Sequence, residues 1–266
     1  MNRAISKDGT SIAYERAGRG PAVILVGGGL DDGSENAPLA DALASAFTVF
    51  NYARRGRGAS TDSRSYAVQR EIEDIDALIA EAARPVHLFG VSSGGALALE
   101  AAAAGLAVDK LAVYEVPYMS DDAVRAHYLQ YVEELGHALA EGRRGEAIAL
   151  FMRLAGSSED DIAAARRSAA WPGLEALAPT LAYDAACLGD GRAPVERLAR
   201  ITQPTLVATG GEPDPHTAGL QPGFFDATAD AIAATVPKAE RLVIEGQKHV
   251  ADPEILGSVL ERFFIR

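Results

Sequence analysis

The sequence predicts an α/β protein: a mostly parallel central sheet flanked by helices, with an all-helical insertion before the last two strands. Three observations predict it. Runs that are apolar throughout, such as Pro21-Ala22-Val23-Ile24-Leu25-Val26, fit strands buried on both faces of a sheet. These runs alternate with helical segments, the rhythm of parallel strands joined by crossover helices. The rhythm then stops for residues 120–200, where the pattern is helical, and resumes with two more strands.

Taken in order, residues 3–7 and 11–16 read as two short strands around Lys7-Asp8-Gly9-Thr10, with Asp8-Gly9 as the turn signal. The strand ending at Val26 runs into Gly27-Gly28-Gly29. A helix is expected around Pro38–Ala46, then a strand over Phe47–Tyr52. From Tyr66 to Ala83, Val68, Ile72, Ile75 and Ile79 recur at steps of four, three and four, an amphipathic helix with one apolar face. Arg70, Glu71, Glu73 and Asp74 lie off that stripe and read as a solvated face. Val86-His87-Leu88-Phe89 is the next buried strand, a helix runs from Gly94 to about Ala104, and Leu111–Tyr114 is a further strand. Strands return at Pro204–Ala208 and Arg241–Ile244. The last helix opens at Asp252-Pro253-Glu254, where Asp252 can cap and Pro253 suits the first turn.

The organisation expected is a core of residues 1–119 and 201–266 with a helical lid of residues 120–200. In the lid, Tyr128, Tyr131, Phe151, Met152, Trp171 and Tyr183 either line a pocket roof or form the insertion's own core and pack it on the main domain. The net charge of −12 and pI near 4.9 repel phosphate backbones and anionic headgroups, so nucleic acid and membrane are excluded as partners. No apolar run approaches the ~20 residues that span a bilayer, and the N-terminus lacks a signal-peptide core, so a cytoplasmic location is expected. Cys187, the only cysteine, allows no intramolecular disulfide and reads as a buried core residue.

The chemistry centres on Gly90-Val91-Ser92-Ser93-Gly94, where a predicted strand ends and a helix begins. A nucleophile on such a turn needs small neighbours because the backbone is sharply bent, and the helix's first N–H groups favour a developing oxyanion. Ser92 holds the central position; Ser93 is its only competitor. No cysteine–histidine cluster suggests a metal, and Gly27-Gly28-Gly29 lacks the lysine and hydroxyl residue of a phosphate loop. No cofactor is expected. Arg54, Arg55 and Arg57 read as bracing the loop after their strand, with anion binding as the lesser alternative.

These elements together resemble the α/β-hydrolase superfamily, in its serine-hydrolase branch with a helical cap. Pro21–Gly29, Arg54–Ser60, Gly90–Gly94, Ile201–Asp214 and Gly246-Gln247-Lys248-His249 resemble, in order, the family's oxyanion strand, arginine–glycine loop, nucleophile elbow, acid turn and histidine turn. The resemblance implies Ser92 as nucleophile and His249 as base, with His216 a minor rival. It places the acid at Asp214, with Glu212 and Glu115 as alternatives. It implies an oxyanion hole of the Ser93 and Gly28 backbone N–H groups, Gly29 being the close alternative. Val26 stands where the family often has histidine and Ala53 where it often has aspartate, which points to altered substrate contacts. The function implied is hydrolysis of a small, fairly apolar ester, lactone or related acyl compound. The alternatives are a non-catalytic binding protein on the same fold, or a non-hydrolytic acyl-transfer, perhydrolase or lyase activity.

Overall fold

The computed structural model describes residues 1–63, 65–214, 217 and 219–266. Among them, β1 (Asn2–Ile5), β2 (Ser11–Gly18), β3 (Ala22–Val26), β4 (Thr48–Tyr52), β5 (Val86–Val91), β6 (Lys110–Tyr114), β7 (Thr205–Gly210) and β8 (Ala239–Ile244) form one sheet. Their spatial order is β1-β2-β4-β3-β5-β6-β7-β8. β2 pairs antiparallel with both β1 and β4, and every pair from β4 to β8 is parallel, so β2 alone runs against the rest. Parallel neighbours end at the same edge, and all the loops discussed below leave from that edge.

The apolar run of β3 is explained by its two covered faces. Val23 and Leu25 pack with Leu39 and Leu43 of α1 (Ala37–Leu43) and with Leu256, Leu260 and Phe263 of α11 (Pro253–Ile265). Ile24 and Val26 pack on the opposite side with Ile72, Ile75 and Leu78 of α2 (Val68–Glu81) and Leu97 of α3 (Ser93–Ala103). Successive side chains of a strand alternate between faces, so a strand with both faces covered favours apolar residues throughout.

Between β6 and β7 lie α4 (Asp122–Ala140), α5 (Arg144–Leu154), α6 (Glu159–Arg166), α7 (Trp171–Leu177), α8 (Leu181–Leu188) and α9 (Val195–Leu198). Tyr128, Tyr131 and Trp171 are buried in the core that this insertion shares with α3. The Tyr128 hydroxyl donates to Ala185 O at 2.9 Å, and the Tyr183 ring stacks on Tyr66 at 3.8 Å. These aromatics therefore pack the insertion. Phe151 differs: its ring edge stands 3.2 Å from where a Cβ on Gly29 would be, against the glycine turn after β3. Cys187 is buried, which pushes its thiol up to about 12, so it stays protonated near neutrality.

Two features depart from the sequence expectation. Glu71 and Asp74 are not solvated; both are 1% exposed and face the core from α2. Hydrophobic periodicity assigned them outward, but three buried arginines on the loop after β4 supply counter-charges that make their burial tolerable. The second departure is α10 (Phe224–Thr235), a helix between β7 and β8 whose Phe224, Ala229 and Ile232 are buried.

Candidate active site

β5 ends at Val91 and α3 begins at Ser93, leaving Ser92 alone at the corner with φ 54° and ψ −130°. A residue with a side chain is strained there by about 1–3 kcal/mol, so its surroundings must hold it. They do so through the backbone: Ser92 N–H donates to Tyr114 O at 2.9 Å, and Ser92 O accepts the Gly95 N–H at 2.9 Å. A Cβ on Gly90 would lie 2.5 Å from Gly94 O, and one on Gly94 would overlap the carbonyl oxygens of Val26 and Gly27. Only glycine allows that approach. The turn after β3 closes on the same point, since a Cβ on Gly28 would lie 3.1 Å from Ser92 Cβ.

The strand register sets what stands beside Ser92. Val91 pairs with Tyr114, so the residue after β6, Glu115, flanks the residue after β5, Ser92. Glu115 also has a positive φ, 48°, and its N–H donates to Ala208 O at 3.0 Å. Its side chain is 4% exposed and doubly held. Oε1 accepts the Gly210 N–H at 2.8 Å, and Oε2 lies 2.6 Å from His249 Nδ1. An ionised carboxylate only accepts, so this contact selects the Nδ1–H tautomer and leaves Nε2 with a free lone pair.

His249 is held from three other sides. Its ring stacks on Phe225 of α10, with centroids 4.9 Å apart and planes 15° apart. The loop that carries it is tied to the sheet by Glu212 N–H to Gln247 O at 2.8 Å and by the Tyr114 hydroxyl, which donates to Lys248 O. Asp252 N–H donates to Gln247 Oε1 at 2.8 Å, closing the loop onto the start of α11.

The structure thus gives the imidazole to Glu115, and Asp214 has a different contact. Asp214 lies four residues beyond the end of β7, is buried, and accepts the Val250 N–H on Oδ2 at 3.3 Å. Glu212 is exposed, with its backbone N–H tied to Gln247 O. His216 lies outside the described residues. Of the other histidines, His87 is buried within β5, and His127 and His137 are exposed on α4. None of the described hydrogen bonds joins Ser92 Oγ to His249. The sequence signal for Glu115 is its place directly after the strand that pairs with the elbow strand.

Beneath the elbow lies a cluster of buried charge. Arg54 grips Glu71 with two bonds of 2.7 Å and reaches Asp184 Oδ1 at 2.6 Å. Arg55 grips Asp74 at 2.8 and 2.7 Å and Asp8 at 3.0 Å. Arg57 donates to both Asp184 oxygens at 2.8 Å and to Gly28 O at 2.5 Å. Burial alone would raise the Asp184 carboxyl, but Arg57 and Arg54 hold it below the usual carboxylate range. The same balance, with Arg54 as partner, holds Glu71 low. Asp184, from α8, was not singled out by sequence reasoning; it stands 91 positions after Ser93, whose hydroxyl donates to it at 2.8 Å.

Among the described residues no group of three or more His, Cys, Asp or Glu side chains is placed to hold a metal ion, and no helix is long and apolar enough to cross a membrane.

The model of the alpha/beta hydrolase family covers residues 22–256. The chain belongs to that family. Within it, the chain is 44% identical to an alpha/beta hydrolase from Sphaerobacter thermophilus DSM 20745, with a TM-score of 0.87 over 99% of this chain and 100% of that one. It is also 28% identical over 157 residues to the uncharacterized hydrolase YraK of Bacillus subtilis (strain 168), a match spanning 58% of each chain. A more distant hydrolase-fold neighbour is the enol-lactonase from Burkholderia xenovorans LB400, at 20% identity and TM-score 0.71 over the whole of both chains. That last likeness is one of fold.

Proposed function

We propose that the chain is a serine hydrolase acting on small, neutral acyl compounds, an ester, a lactone or a related carbonyl bond, through an acyl-enzyme on Ser92. The observation that carries this reading is the 2.6 Å contact between Glu115 Oε2 and His249 Nδ1, just past the end of the strand that pairs with the one leading into Ser92. The contact sets a buried carboxylate on one imidazole nitrogen at the sheet edge that carries the strained serine, the arrangement that serine acyl transfer uses.

In this reading Ser92 Oγ attacks the carbonyl carbon while His249 Nε2 takes its proton. Glu115 fixes the tautomer and stabilises the imidazolium that forms. The carbonyl oxygen, now carrying the charge, is held by the backbone N–H groups of Ser93 and Gly28, each worth roughly 3 kcal/mol in the transition state. The imidazolium returns its proton to the leaving oxygen, and the alcohol departs. His249 then takes a proton from water as the water oxygen attacks the acyl carbon. The bond from that carbon to Ser92 Oγ breaks, the imidazolium returns the proton to Oγ, and the acid leaves. Proton transfer in both directions uses the same nitrogen, and no cofactor is required.

A neutral substrate is supported by the pairing of the buried cations. Arg54, Arg55 and Arg57 are each ion-paired with buried carboxylates and are themselves at most 1% exposed. Phe151 at the Gly29 turn and Phe225 on the imidazole present apolar surface to the site. The test is turnover of p-nitrophenyl acetate by the native protein and by Ser92→Ala. Native turnover that the variant lacks is the expected result; equal rates in the two proteins contradict it.

A further inference from the structure

We propose that Asp184 is a positioning residue for the oxyanion hole, holding both of its halves from the helical insertion. The inference rests on the serine-hydrolase reading and adds to it a residue that no part of the reaction touches directly.

Both oxyanion-binding residues are tethered to this one carboxylate. Ser93, whose backbone N–H is one donor, gives its side-chain hydroxyl to Asp184 Oδ1 at 2.8 Å. Gly28, whose backbone N–H is the other, accepts on its carbonyl oxygen from Arg57 Nη1 at 2.5 Å, and Arg57 Nη2 donates to both Asp184 oxygens at 2.8 Å. A second bond from Arg57 Nη1, to Asp31 O at 3.3 Å, fixes the far end of the same glycine turn. A Cβ on Gly29 would stand 3.6 Å from Asp184 Oδ2, so the turn itself lies on the carboxylate. The Gly28 N–H shares its peptide plane with the Gly27 carbonyl, which accepts from Arg54 Nη1 at 3.4 Å, and Arg54 Nη1 also donates to Asp184 Oδ1 at 2.6 Å. The Gly28 carbonyl held by Arg57 shares its plane with the Gly29 N–H, so both N–H groups of the turn are restricted through Asp184. Donor placement within about half an ångström is what oxyanion stabilisation requires.

Charge and position make opposite predictions here. Arg54, Arg57, Glu71 and Asp184 form a neutral set of two cations and two anions. Asp184→Asn keeps the shape and leaves that set with a net positive charge below the elbow. If only the field mattered, the change would favour the oxyanion and raise the rate. If Asp184 positions the donors, the rate falls.

The experiment measures kcat and KM for p-nitrophenyl acetate, and the inhibition constant of a trifluoromethyl ketone that forms a tetrahedral adduct on Ser92. The proteins are the native chain, Ser92→Ala, Asp184→Asn and Ser93→Ala. Asp184→Asn is expected to lower kcat about tenfold or more with KM within about twofold, and to weaken the ketone by the same factor. Ser93→Ala, which leaves both arginine pairs of Asp184 intact, is expected to lower kcat several-fold with the same split; it carries the test if Asp184→Asn does not fold. An unchanged or raised kcat overturns the inference, as does a loss confined to KM or one the ketone does not follow. A native protein with no Ser92-dependent turnover overturns the hydrolase reading and this inference with it. Ser92-dependent turnover with unimpaired variants overturns the inference alone.

Discussion

Glu115 Oε2 and His249 Nδ1 lie 2.6 Å apart although 134 positions separate the two residues in the chain. The contact exists because β6 is hydrogen-bonded to β5 on one side and β7 on the other. It places the carboxylate between the serine corner after β5 and the end of β7, and β8, from which the histidine loop hangs, lies on the far side of β7. The other carboxylate oxygen is occupied by the Gly210 N–H, so the group has one orientation.

The first prediction separates the two acids. Glu115→Gln keeps the shape but offers a neutral acceptor and a competing donor, and should lower kcat/KM by about a thousandfold or more, the order expected when the acid partner of such a histidine is lost. Asp214→Asn should stay within about tenfold of the native value. Steady-state kinetics on p-nitrophenyl acetate checks both, and the reverse ranking would return the acid to the loop after β7.

A second prediction concerns close packing at the elbow. A Cβ on Gly94 would meet two backbone carbonyls, neither of which can rotate away. Gly94→Ala should therefore destabilise the fold by about 3 kcal/mol, read as a lower urea midpoint with an unchanged slope. A midpoint equal to the native one would show that the turn can open.

The elbow was legible in the sequence because its signal is local: a buried strand, glycines two residues either side of Ser92, and a helix. The position of His249 was legible for the same reason. The carboxylate that contacts His249 was not, because what separates Glu115 from Asp214 is what the register brings beside them, and register is a property of paired strands. Glu71 and Asp74 were read as solvated from the apolar stripe of α2. Their spacing of three sets them on one helix face, opposite an arginine-rich loop, and that pairing was the available clue. Asp184 had no such clue, since its partners lie on α3 and on the loop after β4.

The buried ion pairs should be sensitive to losing one member. Glu71→Gln leaves Arg54 partly uncompensated in the core and should cost about 3–5 kcal/mol. Arg197→Ala, which removes the half-exposed pair with Glu100, should cost no more than about 1 kcal/mol. Urea unfolding of the two variants at one pH makes the comparison, and equal costs would contradict it.

Acid stability should depend on His87. Burial lowers its pKa to about 4, its Nδ1 has no hydrogen-bond partner, and its ring stacks on Phe264 at 4.8 Å. Its unfolded value is near 6.5, so between pH 6.5 and 4 the unfolded chain takes up a proton that the native protein refuses. Stability therefore falls as the pH drops through that window, by roughly 2–3 kcal/mol from this residue. His87→Leu should flatten that part of the stability–pH curve. Parallel curves for the two proteins would show that His87 is not the group responsible.

Activation of Ser92 can be read from intact mass after exposure to a small serine-directed fluorophosphonate. A single adduct is expected on the native protein, none on Ser92→Ala, and much slower labelling of Glu115→Gln. An unmodified native protein, or an adduct that persists in Ser92→Ala, would contradict an activated Ser92.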